Sequence, residues 1–324
     1  KNIYARELIR SLKNTKPHGV ELVLIGDCKN PKIDFSFNRL WHFKVAKIVN
    51  NDHDAMFFSP TSFLTACLIQ RPSLVTVHDL IAFMHPSQVG FKAAFIENIC
   101  LRLLNYRSNV QYLTVSDSTK CALKSFFTLP KKKIHSSSIG TLIQGIKTPK
   151  KNYFLCLQAM IPRKNQLFLL KAFAEIADQV SNNLILAGYG DPKYIKQLHK
   201  FCKANGLEQR VKILGAVSEK QKVELYSQAQ CCIFPNLYEG FGMPLIESLK
   251  CHTPILTAQI PPFIEVNPNS EAQFELKSPK QLSHIMLHFL KHPKALEDLY
   301  AKQKTVLDHY DWTKIAQSFW KILK

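Results

Sequence analysis

The stretch Phe234-Pro-Asn-Leu-Tyr-Glu-Gly-Phe-Gly-Met-Pro-Leu-Ile-Glu247 decides how this chain is read. The apolar run Cys231–Phe234 that feeds it reads as a buried strand. Gly240 and Gly242 then form a turn, and a helix opens with Pro244 expected at its first position, where a missing N–H costs nothing. Free backbone N–H groups at a helix start, approached closely where glycines carry no side chain, make an anion site suited to a diphosphate. Gly240, Phe241, Gly242, Met243, Pro244 and Leu245 are expected to line it. Glu239 lies just before the turn and Glu247 about one helical turn inside the helix. A carboxylate touching a diphosphate would repel it, so the two glutamates are expected beside the anion, as acceptors for hydroxyls of a sugar and a ribose. Taken as two glutamates alone, a helix cap and a solvated helix residue would serve as well.

Working outward, the pattern is strand, turn, helix, repeated. Apolar and β-branched runs at Val20–Ile25, Ala55–Phe58, Leu74–Val77 and Tyr112–Val115 predict strands in the first half. Tyr153–Leu157, Leu184–Ala187, Val211–Leu214, Cys231–Phe234 and Pro254–Thr257 do so in the second. Helical spacing lies between many of them. In Asn165–Val180, for example, Leu167, Leu170, Phe173, Ile176 and Val180 share a face behind Asn165 as N-cap. Strands alternating with helices predict an α/β fold with parallel, doubly wound sheets. The 324 residues suffice for two such domains. The break is expected at the polar Lys147-Thr-Pro-Lys-Lys151, giving a first domain over 1–149 and a second over 150–308.

Composition narrows the partners. The net charge is +19. Residues 1–150 carry 21 basic against 9 acidic side chains and so hold most of the excess. Such a balance suits nucleic acid, an anionic membrane surface or a phosphorylated substrate. No RNP motif, zinc finger or KH loop accompanies it, so a specific nucleic-acid binder is not expected. No apolar run approaches the ~18 residues of a membrane-spanning helix. The nine cysteines, Cys28 among them, are scattered without a CxxC pair, as in a reduced cytoplasmic protein. His284, His288 and His292 recur every four residues. No glutamate follows His284 as a zinc-protease motif requires, and a polar helix face is the expectation.

With seven residues between its two glutamates, Tyr238-Glu-Gly-Phe-Gly-Met-Pro-Leu-Ile-Glu-Ser248 resembles the signature of retaining glycosyltransferases of family 4. Other segments resemble the family in order. They are Ile161-Pro-Arg-Lys-Asn165, Leu184-Ile-Leu-Ala-Gly-Tyr-Gly190, Val211–Val217, Cys251-His-Thr-Pro-Ile255 and Pro262-Phe-Ile-Glu-Val266. Thr76-Val-His-Asp-Leu80 and Thr114-Val-Ser-Asp117 add looser matches in the first half. The mannosyltransferase-like branch is the nearest in flavour.

The resemblance implies a GT-B architecture, two Rossmann-like domains with a cleft between them, and a last helix over 309–324, opened by Trp312, that crosses back to the first domain. It implies transfer of a hexose, GDP-mannose being the favoured donor, to a polysaccharide or lipid-linked glycan with retained configuration and no metal. Arg163 and Lys164 would stabilise the departing diphosphate, Glu239 the donor sugar and Glu247 the ribose. His78, at a strand's C-terminal end, would approach the sugar. Gly188 and Gln158 would flank the nucleotide.

Three departures carry expectations of their own. Gln158 stands where the family strand ends in glycine, narrowing the nucleotide site or donating to it. His252 replaces a glycine. The chain as read opens on a helix, Asn2–Asn14, without the strand and glycine loop that ordinarily begin such a domain. We therefore expect a piece of a longer protein, or a reading frame eroded at its start; a relic that binds nucleotide-sugar without turnover is the alternative. The expected location is cytoplasmic, peripheral on the inner face of the membrane. Candidate contacts there are the helix Gly90–Tyr106, with Phe91, Lys92, Phe95, Ile96, Ile99, Arg102 and Leu103, then Arg107 and the run Lys131-Lys-Lys133. An ordinary core-facing helix and a solvated charge run would account for them equally.

Overall fold

A computed structural model of the chain describes residues 2–25 and 39–323; Cys28 lies outside them. The chain divides into two compact units, Lys1–Ile139 with Trp312–Lys324, and Gly140–Asp311.

The first unit contains α1 (Asn2–Asn14), α2 (Arg39–Asn51), β1 (Phe57–Ser59), α3 (Phe63–Leu68) and β2 (Ser73–Val77). It continues with α4 (Ile81–Met84), α5 (Phe91–Asn105), β3 (Val110–Thr114), α6 (Asp117–Phe126) and β4 (Ile134–Ser136). Its four strands are parallel in the order β1-β2-β3-β4. β2 is buried at every position, as a strand covered on both faces must be. Val20–Ile25, expected as a strand, pairs with no strand among the described residues, and Val23 stands 66% exposed.

The second unit runs β5 (Tyr153–Leu157), α7 (Gln166–Ala174), β6 (Asn183–Ala187), α8 (Pro192–Ala204), β7 (Val211–Ile213), α9 (Glu219–Gln228), β8 (Cys231–Phe234) and α10 (Met243–Lys250). Then follow β9 (Ile255–Ala258), α11 (Pro261–Val266), β10 (Gln273–Phe274), α12 (Pro279–Lys291) and α13 (Pro293–Gln303). The helix α14 (Trp312–Ile322) belongs to the first unit, where it packs on α1 and Trp320 Nε1 donates to Thr15 Oγ1 at 3.2 Å.

The six strands of the second unit are parallel in the order β10-β9-β8-β5-β6-β7. Counted from β5, that is the doubly wound order 3-2-1-4-5-6, so strand order reverses between β5 and β8. Helices cover both faces, and Phe154, Phe173, Phe234, Phe263 and Phe274 are fully buried. Burying each contributes about 1.5–3 kcal/mol relative to leaving it in water.

One sequence reading is corrected here. The helix expected over 165–180 stops at Ala174, and a single 3₁₀ turn, Ala177–Gln179, follows. Val180 is already extended at φ −134° and ψ 151°, and the Arg210 guanidinium donates to the carbonyls of Ala177, Val180 and Asn182 at 2.5–2.6 Å. The division between the compact units falls at Ile139/Gly140, and the segment that follows is bonded to the second unit. Gly145 N donates to Lys250 O, Ile146 N to Ser227 Oγ and Lys150 Nζ to Ser227 O, while Lys250 Nζ donates to Thr141 O. Six of the eight described cysteines are buried, and burial pushes the thiol of Cys251 up to about 11.

Candidate active site

Strand order reverses between β5 and β8, and the crevice at such a point is where doubly wound folds bind ligands. The loop after β5 is a 3₁₀ turn opened by Pro162 and closed by Asn165, whose φ of 57° and ψ of 36° place it in the left-handed region. Asparagine tolerates that region better than other side-chain-bearing residues. Asn165 thus occupies the expected N-cap of α7, without a side-chain cap bond. The loop after β8 meets this turn where Leu237 N donates to Arg163 O at 2.9 Å.

Three polar side chains from the two loops converge on one atom, Glu239 Oε2. Lys164 Nζ donates to it, Asn236 Nδ2 donates at 3.0 Å, and Arg163 Nη1 stands 3.7 Å away while donating to Tyr238 O at 3.4 Å. The side chain of Lys164 is 9% exposed and that of Glu239 19%. Among the described residues the contacts of this carboxylate fall on Oε2, so Oε1 is left to accept from elsewhere.

The second glutamate stands apart from that cluster. Glu247 lies on α10, buried, with Oε1 accepting from Lys222 Nζ at 3.0 Å and Oε2 from Tyr226 OH at 3.3 Å. Burial raises its carboxyl above the ordinary carboxylate range, and Lys222 pulls it back only in part. Expectation had Glu247 as a ribose acceptor or a solvated helix residue; the solvated alternative is excluded.

The turn between the glutamates is built as its glycines suggest. Gly242 caps α10 at φ 112°, and a Cβ there would lie 2.8 Å from Phe263 Cε1. Buried Phe241 packs edge-on against Tyr310 with ring centroids 5.5 Å apart, anchoring the turn from below. Gly240 and Leu245 are buried, while Met243 and Pro244 are half-buried. Pro244 is the second residue of α10 and Met243 the first, a shift of one from the expected position; either place spares proline an N–H bond. Gly188, at the end of β6, has φ 135°, and a Cβ would lie 2.2 Å from Gln158 O.

Gln158 follows β5 at the start of the turn. The side chain is buried, and Nε2 donates inward to Lys164 O and Cys156 Sγ, both at 3.4 Å. It props the Arg163–Lys164 turn from within. His252 takes φ 60°, the left-handed conformation that suits glycine, and its Nδ1 lies 3.1 Å from Tyr300 OH. His78 belongs to the first unit, just past β2. Its Nε2 lies 2.8 Å from Pro60 O, which can only accept, and its ring meets Tyr4 edge-on with centroids 4.8 Å apart. Of the histidine series, His288 and His292 approach to 4.8 Å between centroids. No group of three potential metal ligands forms among the described residues.

Asn236, Lys222 and Tyr226 were not singled out in the sequence. Asn236 sits inside the quoted stretch, two residues past the strand end, and its place there was the available signal. Lys222 and Tyr226 come from another helix and carried none.

Comparison with known proteins follows the same lines. The family model of glycosyl transferases group 1 matches residues 142–306, just over half of the chain. The chain is 30% identical over 236 residues to the O-antigen chain mannosyltransferase RfbU of Salmonella typhimurium, covering 68% of this chain and 64% of that protein. It is 24% identical over 233 residues to O-antigen chain mannosyltransferase B of Escherichia coli, covering 66% and 59%. It thus matches somewhat under two thirds of the length of these relatives. Among solved structures it resembles Anabaena HepE in complex with UDP and glucose, with TM-score 0.74, 16% identity and 88% of this chain against 81% of that one. It also resembles WaaG, a glycosyltransferase involved in lipopolysaccharide biosynthesis, with TM-score 0.72, 13% identity and coverage of 98% and 95%. Two parallel α/β units of this likeness have the GT-B fold. A strand-order reversal bearing Arg163, Lys164 and Glu239, in the region the family model matches, completes the case: the chain belongs to the glycosyl transferases group 1 family.

Proposed function

We propose that this protein transfers a hexose, mannose by preference, from a nucleotide-diphosphate sugar to a polysaccharide or lipid-linked glycan, with retention of anomeric configuration. The observation that carries the reading is the convergence of Lys164, Arg163 and Asn236 on one oxygen of Glu239 at the β5/β8 reversal. Two cations are thereby held ready for a diphosphate, while Glu239 Oε1 is available to a donor-sugar hydroxyl. Negative charge grows on the diphosphate as the bond to the anomeric carbon breaks. Arg163, Lys164 and the N-terminus of α10 would stabilise it, so no metal is needed. The acceptor hydroxyl would attack from the face the diphosphate leaves, its proton passing to the departing phosphate oxygen. Glu247 would accept from the ribose, and His78 would approach the donor sugar. The relatives' mannosyltransferase names support mannose, and GDP-mannose is the favoured donor.

The test is nucleotide release from a panel of GDP- and UDP-sugars with a glycan acceptor, with and without EDTA, and NMR of the product anomer. Turnover with GDP-mannose, unaffected by EDTA and giving the donor's anomer, is expected. Calorimetric binding without turnover would instead support a non-catalytic relic. Loss of turnover in EDTA, restored by a divalent cation, would overturn the metal-free reading.

We further propose a peripheral seat on an anionic membrane. No described helix is long and apolar enough to cross one. The outer face of α5 nevertheless exposes Phe91 (84%), Phe95, Ile96, Ile99 and Leu103, with Tyr106 (87%) just past its end, while Ala94, Cys100, Leu101 and Leu104 face the core. Exposed Lys92 and Arg102 lie on that helix, Arg102 over Phe83, and Lys133 Nζ donates to Arg107 O at 2.8 Å. Pairing this face with a second copy would set these cations against each other; anionic headgroups neutralise them. Vesicles rich in phosphatidylglycerol should carry the protein upward in a flotation gradient at low salt and release most of it near about 0.5 M salt. Binding unchanged by salt and by Phe95→Glu would count against this seat.

A further inference from the structure

We infer that Lys222 is a positioning residue of the donor site: from α9 it holds the Glu247 carboxylate in place, with Tyr226 fixing the second carboxylate oxygen. The inference rests on the reading of Glu247 as the ribose acceptor. The geometry is a three-residue clamp. Lys222 Nζ reaches Glu247 Oε1 at 3.0 Å and Glu219 Oε2 at 3.0 Å. Tyr226 OH, fully buried, lies 3.3 Å from Glu247 Oε2 and 3.4 Å from Leu157 O, at the end of β5.

The two pairs of Lys222 are unequal. The Glu219 side chain is 82% exposed, so water screens that contact. Glu247 is 9% exposed and Lys222 14%, so removing the ammonium would strand a buried carboxylate. A carboxylate that must accept ribose hydroxyls is useful only when charged and correctly aimed. Burial alone works against the charge, and Lys222 is the main opposing influence. On the lysine itself burial acts downward, yet Glu247 and Glu219 outweigh it and hold the ammonium above its ordinary range. The other groups about Glu247 are Tyr226, whose hydroxyl burial raises, and Cys251, raised chiefly by burial and further by Glu247. The 3₁₀ stretch Lys304–His309, packed on α10, adds Lys304, Asp308 and His309.

Two measurements on the full chain test the clamp. The first needs no donor: melting temperature against pH for wild type and Lys222→Met. A carboxyl raised in the folded state makes stability fall as pH climbs from the unfolded to the folded pKa. Removing Lys222 raises the folded value further and extends that fall upward. The deficit of Lys222→Met should therefore be small at acidic pH, widen above the ordinary carboxylate range, and lose its pH dependence when Glu247→Gln is added. Lys222→Gln gives the same reading if the methionine variant does not fold. A deficit flat in pH, or one that Glu247→Gln leaves unchanged, overturns the proposal.

The second measurement is donor kinetics. Lys222→Met should raise the donor KM about tenfold at neutral pH with kcat within about threefold, and Lys222→Arg should restore most of the loss. An unchanged KM in a folded Lys222→Met also overturns the proposal. A donor lacking ribose hydroxyls separates the underlying reading. If wild type handles it like the parent donor while the melting profiles behave as stated, the ribose role of Glu247 fails and the clamp stands.

Discussion

Lys164→Ala should lower kcat/KM about 10³-fold, with most of the loss in kcat. Such a factor is about 4 kcal/mol of transition-state stabilisation, the size found when one preorganised charge or donor facing developing anionic charge is removed. The loss belongs in kcat because the diphosphate gains charge as the sugar leaves it, and a cation matched to that gain binds the transition state better than the ground state. The enclosure of Lys164 strengthens the expectation. Its side chain is 9% exposed, its carbonyl is propped by Gln158 and its ammonium is held by Glu239, so water screens it little. Lys164→Arg should rescue poorly, since a planar fork does not fit a slot shaped for a point charge. Initial rates of nucleotide release measure this, and kcat within threefold of wild type would remove Lys164 from the reaction.

Glu239→Gln should cost about 10²–10³ in kcat, and Glu239→Ala at least as much. The glutamine keeps the shape and leaves an oxygen for Asn236 or a sugar hydroxyl, but it discards the charge that holds Lys164 and Arg163 in register. Stability should fall too, because the mostly buried Lys164 loses its counter-ion. The double variant Lys164→Ala with Glu239→Ala should therefore lose less than the two single losses combined, as expected of residues acting as a unit. Additive losses in kcat would show that the two act separately. Denaturant unfolding of each variant distinguishes a stability loss from a catalytic one.

These expectations depend on features of different legibility. The Arg163–Lys164 turn and the Glu239–Glu247 stretch could be read directly because their chemistry is local. Proline, glycine and carboxylate at fixed spacing dictate a turn, an anion-facing helix start and two acceptors wherever the segment lies. The clamp on Glu247 could not be read. Lys222 and Glu247 are 25 residues apart on different helices, and only the packing of α9 against α10 makes them partners. Gln158 was legible as a departure, but its contact with Lys164 O was not, since the direction of a strand-end amide depends on the neighbouring turn. The overlong helix reading at 165–180 failed for a similar reason. The periodicity continues past Ala174, but Val180 is extended there, and Arg210, far along the chain, donates to the carbonyls of Ala177 and Val180.

The sequence by itself determined the alternation of strands and helices and the residue types at the strand ends. Hydrophobic period, glycine and proline are properties of neighbours along the chain, and no distant contact is needed to set them. Tertiary structure decided what brings those residues into one site. The order β10-β9-β8-β5-β6-β7 sets β5 beside β8 and so carries Arg163, Lys164 and Gln158 to Glu239 and Asn236. It also decided which apolar residues of α5 face the core and which face outward, because apolar residues lie on more than one side of this helix and their spacing alone does not mark the buried one. Strand order and helix burial are settled by the free energy of closing the whole core, a quantity that no single stretch of sequence contains.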